Sequence, residues 1–208
     1  MNEFDRKAFE WDKNPAFHDR AGTVARALIK QIPINSQMTA LEFGAGTGLL
    51  SFMLKDSLGQ ITLMDSSPGM VRVTSDKIKE TGASNLRAVE FDLAHDDYTG
   101  ERFDIIYTLM ALHHIEDIEG IISKFHGLLK PGGYLAIADL YPEDGSFHGE
   151  GFTGHRGFDT VELSALLEKA GFKGVSHGPV YTVERKVSEN TLKRFELFLM
   201  TATKPVQA

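Results

Sequence analysis

Three groups of residues in this 208-residue chain have types and spacing that could do chemistry. The stretch LEFGAGTGLL, residues 41–50, sets glycines at 44, 46 and 48 directly after an apolar run. The carboxylates Glu42, Asp65 and Asp92 each stand near the end of a short apolar segment. His113 and His114 follow a fourth such segment. A strand, a glycine-rich turn and a helix start place backbone N–H groups and the positive helix end beside a ligand, with room for close approach. A P-loop needs Lys-Ser or Lys-Thr after its last glycine, whereas Gly48 is followed by Leu49 and Leu50, so nucleoside triphosphate hydrolysis is excluded. A dinucleotide fingerprint needs G-x-G-x-x-G, and Leu49 occupies the place of its third glycine.

Glu42 narrows the ligand further. Two residues before the first glycine, a carboxylate disfavours a pyrophosphate and favours an ammonium group. S-adenosyl-L-methionine carries an amino group, a sulfonium and a ribose, and no phosphate. Asp65 lies 17 residues after Gly48, where a carboxylate can accept hydrogen bonds from both ribose hydroxyls. Asp92, flanked by Leu93, is expected to receive the adenine amino group. An acid at a strand end is in isolation often a helix cap or a solvated turn; three at the ends of successive strands point into one crevice.

The elements that must position these groups alternate. Residues 18–31 carry apolar positions near helical spacing and predict a preliminary helix after an irregular start. Strands are expected at about 38–43, 61–64, 86–91, 103–108 and 134–140. Helices are expected at about 47–56, 68–80 and from Ile118 to Leu129, with KPGG at 130–133 as the turn that ends the last of them. A helix from Asp159 to Ala170 stops at Gly171, and VSHGPVYTVERKV with FELFLMTAT reads as an antiparallel pair closing the sheet edge. The expected fold is α/β: a Rossmann-like, doubly wound, mostly parallel seven-stranded sheet with helices on both faces and an antiparallel C-terminal strand. One domain is expected over 1–208, comprising an N-terminal helical cap (1–37), a cofactor-binding core (38–140), a lid loop (141–158) and a C-terminal helix with its strand pair (159–208).

On these motifs the chain resembles the class I S-adenosylmethionine-dependent methyltransferases, in the broad small-molecule branch that includes the quinone-biosynthesis enzymes. LEFGAGTG is similar to the first motif of that family, MDSSPGM to its second, EFDL to its third, FDIIYTLMALHHIED to its fourth and LLKPGGYLAIADL to the strand beyond, with VELSALLEKAGF echoing a later helix. The resemblance implies that Glu42 and the backbone of Gly44, Ala45 and Gly46 meet the methionyl part. It implies that Asp65 holds the ribose, that Ser66 and Met70 pack near the adenine and that Asp92 with Leu93 binds its edge. Thr108 and Leu109 would border the sulfonium. S-adenosyl-L-homocysteine would be the product.

Methyl transfer is an in-line displacement from an already activated sulfonium, so alignment supplies much of the catalysis. A general base is needed only where the nucleophile carries a proton near neutral pH, and histidine suits that task. His113 and His114 are therefore the candidate catalytic residues, with helix capping as the alternative. No metal is expected, since adjacent histidines rarely converge on one ion and no H-x-x-x-H or cysteine accompanies them. The 141–158 loop holds five glycines with Tyr141, Phe147 and Phe152, and is expected to be a water-excluding lid helped by Trp11 and Phe17. His148, His155 and Asp144 form a lower-ranked candidate for a divalent ion.

Zero cysteines exclude disulfides, thiolate sites and the cysteine-dependent cytosine-C5 and arsenite methyltransferases. Amino-methylating DNA enzymes carry an Asn/Asp-Pro-Pro-Tyr motif where Thr108, Leu109, Met110 and Ala111 stand, and a net charge of −7 disfavours nucleic acid. A small-molecule acceptor is expected, with no nucleic acid partner, no membrane span and a cytoplasmic location. The attacked atom and the oligomeric state leave no mark in the sequence. Two rivals stand beside this reading: a noncatalytic S-adenosylmethionine-binding regulatory or assembly module, and an NAD-dependent oxidoreductase, against which the displaced third glycine argues.

Overall fold

A computed structural model describes residues 3–206. Seven strands form one sheet: β1 (Thr39–Phe43), β2 (Gln60–Asp65), β3 (Leu86–Glu90), β4 (Phe103–Leu109), β5 (Leu129–Leu140), β6 (Lys173–Ser188) and β7 (Thr191–Thr203). Their order is β3-β2-β1-β4-β5-β7-β6. The first five pair in parallel, and β7 runs antiparallel to both β5 and β6. The chain reverses direction across the sheet between β3 and β4, which opens a crevice at the C-terminal ends of β1 and β4. β1 and β2 are apolar and buried almost throughout, as strands covered on both faces must be.

Helices α2 (Pro15–Gln31), α3 (Leu49–Leu54) and α4 (Pro68–Thr81) cover one face of the sheet, and α5 (Ile118–Leu128) and α6 (Thr160–Lys169) the other. The first core gathers Val24, Leu28, Leu50, Leu54, Ile61 and Tyr107; the second gathers Ile106, Ile122, Phe125, Leu135, Leu163 and Phe198. Helix starts follow local chemistry. Asn14 Oδ1 accepts the Ala16 N–H at 3.0 Å ahead of α2, the Ser67 hydroxyl accepts the Met70 N–H ahead of α4, and Asp117 and Asp159 cap α5 and α6 in the same way.

Several boundaries differ from expectation. The start is not irregular: Glu3–Trp11 forms a further helix, α1. Its apolar residues Phe4, Ala8 and Trp11 recur at helical spacing, and tertiary contacts anchor it. Asp5 accepts from the Ser67 hydroxyl at 2.6 Å and the Gly69 N–H at 3.0 Å, while Asp12 takes Thr47 and, at 2.7 Å, Lys77. Helix α2 begins at Pro15 rather than residue 18, because Asn14 caps it and Pro15 suits the first turn. Helix α3 is shorter than 47–56, since Gly48 at its start takes a left-handed φ of 76°. The KPGG segment belongs to β5: Phe103 pairs with Leu129 and Ile105 with Tyr134, so the intervening residues bulge out, with Gly132 at φ 80°. β3 ends at Glu90, two residues before Asp92. The terminal pair runs longer than expected, from Lys173 to Thr203, and its outer half continues to Ser188 and Thr191 past the end of β5.

Candidate functional site

The C-terminal end of β1 turns sharply through Gly44, Gly46 and Gly48, whose φ values are 64°, 54° and 76°. Only glycine adopts these angles without strain, which accounts for the unusual density of glycine here. A side chain on Gly44 would collide with Ala111, whereas one on Gly46 would meet nothing nearer than the Met70 sulfur at 3.9 Å. The backbone at Gly46 therefore has open room in front of it. Ala45 donates its N–H to the Met64 carbonyl at 3.0 Å, tying the turn to β2.

Asp65 ends β2 facing this turn. One carboxylate oxygen accepts the Gly46 N–H at 2.7 Å and the other the Ser67 N–H at 2.8 Å. Burial pushes its pKa up, against the pull of those two backbone donors. Ser66 next to it is exposed, and Met70 is buried under the turn. Glu42 lies at the end of β1 with only 3% of its surface exposed. It accepts the Ser51 N–H at 3.2 Å and the Ser51 hydroxyl, which lies 2.7 Å from the Tyr107 hydroxyl. Burial raises the Glu42 pKa to about 8. Asp92 accepts the Ala94 N–H at 3.1 Å and lies 2.9 Å from His95 Nδ1, while Leu93 is buried in the core beside Phe43 and Met64. Thr108 is buried, and its hydroxyl has no hydrogen-bond partner among the described residues; Leu109 ends β4 half-buried. The unsatisfied hydroxyl of Thr108 and the open space before Gly46 are what a ligand lying along this crevice would use.

Beyond β4 the chain takes a left-handed φ of 57° at Met110, the one non-glycine residue in that region among those described. Such strain tends to gather at functional turns. It leads into a short 3-10 helix, Leu112–His114, that separates the two histidines. His113 is buried and His114 exposed. His113 Nδ1 lies 2.7 Å from Asp139 Oδ1, and its backbone N–H reaches Asp139 Oδ2 at 3.3 Å. Asp139, near the end of β5, is completely buried and also accepts the Leu140 N–H at 2.7 Å. The carboxylate fixes the imidazole orientation and leaves Nε2 as the working nitrogen. Asp139 was not singled out from the sequence, because it lies inside the apolar run YLAIADL; a charged residue in a doubly covered strand was the available signal.

The loop at 141–158 lies against these histidines. The His155 N–H donates to the His113 carbonyl at 2.8 Å, and the His148 ring stacks on Phe152 with centroids 3.8 Å apart. The His148 centroid is 4.8 Å from that of His113, and Phe152 is 5.4 Å from His114. On the opposite side Phe4 meets His114 edge-on at 5.2 Å, and Trp11 contacts both Phe4 and Phe17. His113, His114 and His148 have ligand nitrogens within 4.8 Å of one another, a convergence that adjacency in the sequence argued against. Ligands at about 2.0–2.1 Å from one tetrahedral ion stand about 3.3 Å apart, so the three rings would draw closer together around an ion. The other candidate trio does not assemble: Asp144 is engaged by Lys193 and Ser146, which hold its pKa down.

Among the described residues no helix is long and apolar enough to cross a membrane. The sequence model of a family described as a methyltransferase domain matches residues 16–177. An uncharacterized methyltransferase of Schizosaccharomyces pombe is 32% identical over 177 residues, covering 75% of this chain and 62% of that protein, so the chain spans less than two thirds of this relative. Among solved structures, a Haloferax volcanii putative methyltransferase, in complex with the Trm112 methyltransferase activator, is similar with a TM-score of 0.78 and 19% identity, covering 99% of both chains. Phosphoethanolamine N-methyltransferase 2 of Haemonchus contortus, in complex with phosphomonomethylethanolamine and S-adenosylhomocysteine, gives a TM-score of 0.72 at 16% identity over 87% of this chain and 52% of that one. At these identities the two structures speak for the fold.

Proposed function

The chain belongs to the class I S-adenosylmethionine-dependent methyltransferase family, and from that premise we propose that it methylates a small-molecule acceptor whose nucleophile carries a proton. The observation that carries this reading is the buried His113–Asp139 pair at the ends of neighbouring strands β4 and β5, beside the glycine turn. When bound, S-adenosylmethionine supplies a methyl group on a sulfonium and leaves as S-adenosylhomocysteine. The Gly44–Gly46 backbone and Glu42 are assigned to its methionyl part, Asp65 to the ribose, Ser66, Met70, Asp92 and Leu93 to the adenine, and Thr108 and Leu109 to the sulfonium end. Asp65 already accepts two N–H groups, yet each of its oxygens has a second lone pair for a ribose hydroxyl.

His113 accepts the acceptor's proton at Nε2 as the new bond to the methyl carbon forms, and Asp139 stabilises the resulting imidazolium. His114 lies beside it and shapes the pocket with Phe4 and Phe152. Loop 141–158 and α1 close over the site and exclude water. No step requires a metal, so a chelator is expected to leave turnover unchanged. The chain is assigned to the cytoplasm, with neither nucleic acid nor a membrane as partner.

Release of S-adenosylhomocysteine from a panel of phenols, amines, thiols and carbon acids tests this directly. Turnover on one class, lost in His113→Gln with S-adenosylhomocysteine binding retained, is the expected result. Binding without turnover across the panel would instead favour a noncatalytic module.

A further inference from the structure

Arg20 sits in α2 with 9% of its surface exposed, an unusual depth for a guanidinium. Its Nε is buried with no hydrogen-bond partner, and no hydrogen bond or ion pair to the group is present among the described residues. The Phe17 ring lies 4.9 Å from its central carbon and covers one face, but an aromatic face offers the N–H groups no oxygen. Nearby acids are already engaged. Asp19 accepts the Tyr181 hydroxyl at 2.9 Å, and Asp139 is held by His113 and Leu140. A buried guanidinium nitrogen without an acceptor is costly, and a ligand oxygen would complete it.

Its position points the same way. Tyr181, on β6, joins α2 through Asp19 and packs against the cluster of Leu140, Phe147, Phe195 and Leu197, as do Leu109 and Met110 at and just past the end of β4. Burial disfavours the protonated form of the guanidinium, and the Asp139 carboxylate pulls the other way. Arg20 thus stands on the acceptor side of the crevice, on the same end of the sheet as His113.

We infer that Arg20 is a specificity-determining residue that binds a carboxylate of the methyl acceptor, so that the substrate is a small carboxylic acid bearing a separate nucleophile. The inference rests on the methyl-transfer reading above. The planar fork of arginine matches a carboxylate with two parallel hydrogen bonds. A single guanidinium carries one positive charge, which suits a carboxylate better than a phosphate dianion.

The test titrates formate, acetate, benzoate and 4-hydroxybenzoate, and their neutral amides, into the whole protein with and without saturating S-adenosylhomocysteine. Dissociation constants are read alongside the nitrogen-edited Nε–H resonance of Arg20. At least one carboxylate is expected to bind about tenfold or more tightly than its amide and to shift that resonance; the preference disappears in Arg20→Met and partly returns in Arg20→Lys. The thermal midpoint of unliganded Arg20→Met is expected to equal or exceed wild type, which a structural role for the charge would not allow. Carboxylates binding no better than amides to wild type, or a preference that survives Arg20→Met, would overturn the inference. The wild-type arm decides the matter even if Arg20→Met does not fold. Failure to bind S-adenosylhomocysteine would count against the methyl-donor reading, whereas its binding without a carboxylate preference counts against Arg20 alone.

Discussion

His113 and Asp139 are separated by 26 residues in the chain and by 2.7 Å in space, and the proposed chemistry depends on that contact. Asp139→Asn keeps the shape but no longer accepts the Nδ1 hydrogen bond as a charged carboxylate does. Turnover is expected to fall by roughly 10²–10⁴, with S-adenosylhomocysteine affinity unchanged in calorimetric titration. An equal loss of binding would move the pair from catalysis to structure. Glu42 makes a second, pH-dependent prediction. Its carboxyl titrates at about 8 in the fold against an ordinary 4.5, so between those values the folded state holds a proton that the unfolded chain releases. This contribution is fully present below pH 4.5 and is lost as pH rises through 8. Thermal midpoints of the unliganded protein should therefore fall across that window, and Glu42→Gln should flatten the fall. A rise with pH that Glu42→Gln leaves untouched would contradict it. At this scale the placement of Glu42 and Asp65 at the ends of β1 and β2, and of the two histidines after β4, was legible from spacing along the sequence, whereas Asp92 falls two residues past β3. Asp139 and Arg20 were not legible, because the significance of each lies in partners, present or missing, that only the folded chain defines.

In the proposed function the β1 turn is the element that sets the cofactor geometry. Gly44 has both a left-handed φ and no room for a Cβ beside Ala111, the residue just before the 3-10 helix that carries His113. Gly44→Ala is expected to push these two loops apart, abolishing detectable S-adenosylhomocysteine binding and lowering the thermal midpoint. Retained affinity would show that the turn is not where the methionyl group lies. The alternation of strand and helix and the glycine turn could be read from periodicity and punctuation, and the order of elements followed. Helix α1, EFDRKAFEW, is short, and although Phe4, Ala8 and Trp11 stand at helical spacing, the contacts of Asp5 to Ser67 and Gly69 that anchor it exist only in the fold. The bulge in β5 was hidden for a related reason. KPGG has the composition of a turn, and the neighbouring β4 and the Lys204 carbonyl, which accepts the Gly132 N–H at 2.8 Å, draw it into the sheet.

Across the whole molecule, two segments far apart in sequence converge on one end of the sheet. Helix α1 reaches the crevice from the side of α4 through Asp5, and loop 141–158 from the side of β5 through His148, Phe152 and His155. Between them lie the Gly46–Asp65 contact and the His113–Asp139 pair. The sheet supplies two cores and a fixed spacing of strand ends, and in the proposed function the covering segments would supply the enclosure that a water-excluded methyl transfer requires. All of this presumes that the crevice binds the methyl donor. Calorimetric titration of S-adenosylhomocysteine into the wild-type protein and Asp65→Ala tests that claim most directly. One site per chain is expected for wild type, weakened about tenfold to a hundredfold by losing the carboxylate assigned to the ribose. No binding by wild type, or equal affinity in the two proteins, would contradict it.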